Sequence, residues 1–142
     1  MKTQDELLLD LVRSLPELVL TGSRYFGTAR RDSDWDFMLP AGLEYMLPES
    51  FFLKSENRGH YNDPCVEQVW ESYALNVHVQ VVTDMETKIA AQKIIRDAGA
   101  LVGLGKEQQK AVWTAVVNAL LIRRWRPADL SADTSISFGS SS

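Results

Sequence analysis

With a single cysteine, Cys65, in 142 residues, the chain can build neither an internal disulfide nor a cysteine-based zinc site. The thiol reads as a small buried apolar group, and its isolation suits a reducing compartment. A basic excess is missing too. Lys and Arg number 15 against 19 Asp and Glu, a formal charge of -4, which argues against a general nucleic-acid coat. A local basic cluster over phosphates is still allowed. No apolar run approaches membrane-spanning length, and Met1-Lys2-Thr3-Gln4-Asp5-Glu6 lacks the pattern of a signal peptide. The expectation is a soluble, cytoplasmic protein with no membrane partner. Hydrophobic residues make up 45%, enough for the core of one domain, and the length suits no second one.

What is present begins with an amphipathic helix over roughly residues 4–15, where Leu7, Leu8, Leu11, Val12 and Leu15 recur at helical spacing and Pro16 closes the segment. Residues 18–21 read as a short buried strand entering Gly22-Ser23, with Ser23 capping a short helix over residues 24–29. A second strand is expected over residues 34–39, ended by Pro40. Residues 41–54 read as helical with a break at Pro48, and residues 55–64 as a loop. Strands over 66–70 and 75–82 follow, joined as a hairpin through Glu71-Ser72-Tyr73. Two apolar helical stripes come next. Ala91, Ile94, Ile95, Ala98, Leu101 and Val102 form the first, and Val112, Trp113, Val116, Val117, Leu120 and Leu121 the second, separated at Gly103-Leu104-Gly105. From Pro127 the packing pattern stops, which predicts a flexible tail over 127–142 after a domain over 1–126. The fold class expected is α+β, a small mixed sheet flanked by helices.

The stretch that points to chemistry runs from Leu20 to Phe37. A small-residue turn between strand and helix exposes backbone N–H groups that favour an anion. Gly22 allows close backbone approach, and the Ser23 hydroxyl can meet a phosphate oxygen. Asp34 and Asp36 stand two apart on a predicted strand, so both carboxylates leave one face. Such a pair, together with substrate phosphates, is the common way to hold Mg²⁺, and Mn²⁺ is a second candidate. Arg24, Arg30 and Arg31 flank the turn, with Arg24 and Arg31 the candidates to neutralise a triphosphate. Trp35 and Phe37 alternate with the aspartates and are expected to face the core.

Two rival motifs fail. Gly22-x4-Gly27-Thr28 has no P-loop lysine. Asp32-x-Asp34-x-Asp36 is followed by Phe37 where a calcium loop needs glycine, and Leu43 takes its final carboxylate position. Gly-Ser alone is an ordinary turn and Asp-x-Asp alone an ordinary strand end. The combination, in this order and spacing, carries the argument.

Gly22-Ser23 followed by Asp34-x-Asp36 resembles the signature of the DNA polymerase β-like nucleotidyltransferase superfamily, and GSRYFGTARRDSDWDFML is especially similar to its small minimal nucleotidyltransferases. The close match covers residues 18–39, with weaker similarity in element order to about residue 83. The resemblance implies Gly22 and Ser23 on the triphosphate of a nucleoside triphosphate, and Asp34 and Asp36 as Mg²⁺ ligands. It implies transfer of a nucleotidyl group to a hydroxyl on a protein, an RNA end or a small molecule. Active members carry a third carboxylate on a later strand. The matching segment here, Asn76 to Val82, offers His78 and Gln80 instead, and Asp84, Glu67 and Glu71 do not fall on its polar face. His78 is the candidate base, since imidazole accepts protons but is a poor Mg²⁺ ligand. Two further functions follow from the same residues. One is a catalytically impaired nucleotide-binding or regulatory protein; the other is an antitoxin-like partner that docks through the C-terminal helices.

Overall fold

The computed structural model describes residues 1–56 and 63–124. Its order is α1 (Gln4–Ser14), β1 (Val19–Thr21), α2 (Gly22–Phe26), β2 (Trp35–Pro40), β3 (Phe52–Ser55), β4 (Val66–Ser72), β5 (Val77–Val82), α3 (Met85–Asp97) and α4 (Lys106–Arg124). The strands form one mixed sheet in the order β1-β2-β5-β4-β3. Only β2 and β5 pair in parallel; the other three pairs are antiparallel. The class is α+β, with the expected small mixed sheet.

Alternation along the strands splits the apolar residues between two faces. Phe37, Leu39, Val77 and Val79 face α1, where Leu11 and Leu15 complete one core with Phe51 and Leu75. Met38, Val66, Val69 and Val82 face the other way and pack with Cys65 beneath Ala91 of α3 and Val117 of α4. Helix α1 starts at a capping box, Thr3 accepting from the Glu6 N–H while Glu6 accepts from the Thr3 N–H. Helix α3 starts where Asp84 accepts from the Thr87 N–H at 3.0 Å.

Beneath α3 and α4 lies a buried ion pair. Lys88 Nζ stands 2.6 Å from Asp63 Oδ2 and donates to Gln80 Oε1 at 2.8 Å. Trp113 Nε1 donates to the same Asp63 oxygen at 2.7 Å, and the Cys65 N–H donates to Asp63 Oδ1. Burial pushes the Lys88 ammonium below its usual range, and Asp63 opposes that push. The group ties the segment leading into β4 to β5, α3 and α4.

Several expectations need correction. Residues 41–54 are not helical: they hold a single 3₁₀ turn at Glu44–Met46 and the edge strand β3. Gly42 at φ +99° and Pro48 interrupt any helix, and pairing with β4 then decides the outcome. Ser23 does not cap α2. That helix begins at Gly22 with Thr21 in the cap position and no side-chain cap bond, and it ends at Gly27, whose left-handed conformation stops it before residue 29. The hairpin connection is not Glu71-Ser72-Tyr73: β4 continues through Ser72, and the turn is residues 73–76 with Asn76 at φ +55°. Of the apolar residues expected to line the N-terminal helix, Leu11 and Leu15 are buried while Leu7 and Val12 are exposed. Ile94 and Val102 are exposed as well. Much of the expected loop and the tail from Pro127 lie outside the described residues.

Candidate metal centre

The strand registers line up one row of side chains across the sheet. Thr21 pairs with Asp36, Asp36 with His78, His78 with Glu71, and Glu71 with Phe52. Directly paired residues share a face, here the face that α3 and α4 cover farther along the strands. The neighbouring row on that face runs Val19, Met38, Gln80 and Val69. Its apolar members belong to the core beneath those helices. The carboxylates and imidazole of this row are only partly sheltered, with Asp36 31% exposed, His78 21% and Glu71 13%, and Asp34 just outside the strand is 43% exposed.

Asp34 lies just before β2, in a turn that the rest of the structure holds. The Arg24 guanidinium donates to the backbone carbonyls of Ser33 at 2.6 Å, Asp34 at 3.3 Å and Arg31 at 3.4 Å. It also stacks on the Trp35 ring at 4.3 Å. The Asn76 side-chain amide donates to Ser33, and the Trp35 N–H donates to the Asn76 carbonyl. Arg24 therefore shapes the turn that presents Asp34, through its Nε and one terminal nitrogen. Arg30 and Arg31 are exposed.

Gly22 is dictated by the site. Its φ is +71°, a region that costs an L-residue, and a Cβ built there would stand 2.9 Å from Asp36 Cβ and 3.0 Å from Asp36 Cγ. The turn backbone therefore presses against the Asp36 side chain, and Ser23 follows in the first turn of α2, partly exposed.

The centre is His78. Nδ1 lies 2.9 Å from Asp34 Oδ2 and 3.5 Å from Asp36 Oδ1. One ligating atom from each of Asp34, Asp36 and His78 falls within 4.8 Å of the others, a spread one cation can bridge. Nε2 faces Glu71 Oε2 at 2.9 Å, in ion-pair range but without hydrogen-bond alignment. The imidazole pKa is raised above 6.5. Its hydrogen bond with Asp36 is the largest cause, burial opposes it, and the charges of Glu71, Asp34 and Asp36 add to it. By distance Asp34 is the nearer partner of Nδ1, and both carboxylates act in the same direction.

The structure brings Gly22, Asp34, Asp36 and His78 together, with Ser23 beside them. Asp84 is engaged at the start of α3. Glu71 is the residue that the sequence argument set aside; its register with His78 places it on the polar face after all. The signal was the turn: once Tyr73–Asn76 is recognised as the connection, counting back along both strands sets Glu71 opposite His78. Comparison with family models, curated proteins and solved structures finds no match for this chain.

Proposed function

We infer that the protein is a metal-dependent nucleotidyltransferase that moves a nucleotidyl group from a nucleoside triphosphate to a hydroxyl acceptor. The observation that carries this reading is the clustering of Asp34, Asp36 and His78 within 4.8 Å against a glycine turn whose backbone abuts Asp36. Two carboxylates and an imidazole fit a divalent cation by donor chemistry and by spacing. A cation bound there would offset charge on the reacting phosphate oxygens.

The chain's own residues divide the remaining work. Asp34 and Asp36 would hold the cation, and the Gly22-Ser23 turn would receive phosphate oxygens through backbone N–H groups and a hydroxyl. The acceptor oxygen bonds to the α-phosphorus, the bond to the departing pyrophosphate breaks, and the acceptor proton passes to water. His78 stands within the same cluster, so its neutral ring would add a nitrogen donor to the cation, and metal binding there would displace the ring proton.

A second reading, nucleotide binding without transfer, is favoured by one observation: β5 presents His78 where the resemblance calls for a carboxylate. Incubation with α-³²P-labelled nucleoside triphosphates, Mg²⁺ or Mn²⁺, and protein or RNA acceptors separates the two. Label transfer that Asp34→Asn abolishes is the expected result. Transfer that survives Asp34→Asn contradicts the enzyme reading, and metal-dependent binding without transfer supports the second.

A further inference from the structure

Each ring nitrogen of His78 faces a carboxylate from a different side. Nδ1 looks toward Asp34 and Asp36, and Nε2 toward Glu71 on the neighbouring strand. The ring stands between, so Glu71 is behind the imidazole and not beside the aspartates. It is the most sheltered of the three carboxylates, and its other oxygen pairs with Lys54 of β3 at 3.4 Å. Nε2 itself is closed off from solvent and makes no aligned hydrogen bond. A buried donor left in that state costs free energy, while the ring torsion of histidine is soft. A small rotation onto Glu71 satisfies Nε2 and leaves Nδ1 directed at the aspartates.

This is the arrangement a metal-bound histidine needs. Such residues donate their second ring N–H to a carboxylate, which fixes the tautomer and strengthens the ligand. Imidazole in turn suits transition dications, whereas Mg²⁺ prefers oxygen donors. Building on the metal-site reading above, we propose that Glu71 is a positioning residue that holds the His78 proton on Nε2, so that Nδ1 joins Asp34 and Asp36 and the site prefers a transition dication such as Co²⁺ or Zn²⁺ to Mg²⁺.

Calorimetric titration of the full chain with Co²⁺ and with Mg²⁺ tests this, in wild type, Glu71→Ala, Glu71→Gln and Asp34→Asn/Asp36→Asn. Wild type is expected to favour Co²⁺. Glu71→Ala should weaken Co²⁺ by about 10–100-fold and move Mg²⁺ by less than about threefold, since Mg²⁺ relies on the aspartates. Glu71→Gln, which keeps the shape and an acceptor oxygen, should fall between. A wild-type Co²⁺-to-Mg²⁺ ratio in Glu71→Ala overturns the role of Glu71 and leaves the metal site standing. Dication binding unchanged in the double aspartate variant overturns the metal-site reading itself. A second measurement needs no variant to fold: ¹⁵N histidine spectra of the Zn²⁺-loaded wild type should show the metal on Nδ1 and the proton on Nε2 of His78. Metal on Nε2 overturns the proposal.

Discussion

At the scale of single residues, Gly22 and Gly27 make a natural comparison. Both have positive φ, +71° and +79°, but a Cβ at Gly27 meets nothing within 4 Å, while one at Gly22 meets Asp36. Gly27→Ala is expected to cost about 1–2 kcal/mol, the left-handed penalty alone. Gly22→Ala should cost more by urea unfolding and also weaken cation binding, because Asp36 must move; equal costs would contradict the close approach. His78 supplies a pH prediction. Its folded pKa lies above its unfolded value near 6.5, so its stabilising contribution is full below the unfolded pKa and is lost as pH rises through the folded one. NMR titration of the ring should show the raised pKa, and Asp36→Asn should lower it further than Asp34→Asn does. At this scale the sequence was informative: the two carboxylates at strand spacing after a glycine turn are residues that the structure brings together with His78. What stayed hidden was Glu71, because its relevance depends on a register set by the turn at residues 73–76 and not by any local pattern.

At the scale of elements, strand β5 and the helices α1, α3 and α4 were legible because each carries its own periodicity, and β1, β2 and β4 as short runs bounded by turn residues. Strand β3 was not. Its four residues have no alternation of exposure to speak of, Phe52, Leu53 and Lys54 all being exposed, and only pairing with β4 makes them a strand. The buried Lys88 and Asp63 were equally invisible, since α3 shows Lys88 as one charge among several on an amphipathic helix. The packing of these elements predicts a contrast between two lysines on α3. Lys88→Ala leaves Asp63 buried without its cation and should cost about 3–5 kcal/mol. Lys93→Ala removes an exposed pair with Asp97, 2.9 Å apart, and should cost at most about 0.5 kcal/mol. Similar costs in denaturant unfolding would mean that Lys88 is not held as described.

At the scale of the whole molecule, a single row of paired residues, Thr21, Asp36, His78 and Glu71, spans β1, β2, β5 and β4. Segments as far apart in the chain as Thr21 and His78, 57 positions by subtraction, therefore contribute to one polar patch, while the next row carries core under α3 and α4. Among the described residues, no helix is long and apolar enough to cross a membrane. The topology explains why the patch can be polar without weakening the core: helices cover one end of the sheet face and leave the polar end partly exposed. The measurement that tests the central claim most directly is calorimetric binding of each nucleoside triphosphate in the presence of Mg²⁺ or Mn²⁺, to wild type and to Asp34→Asn/Asp36→Asn. The account predicts metal-dependent binding of at least one nucleotide, lost in the double variant while its fold persists by circular dichroism. Binding that ignores the metal, or that survives loss of both carboxylates, would contradict it.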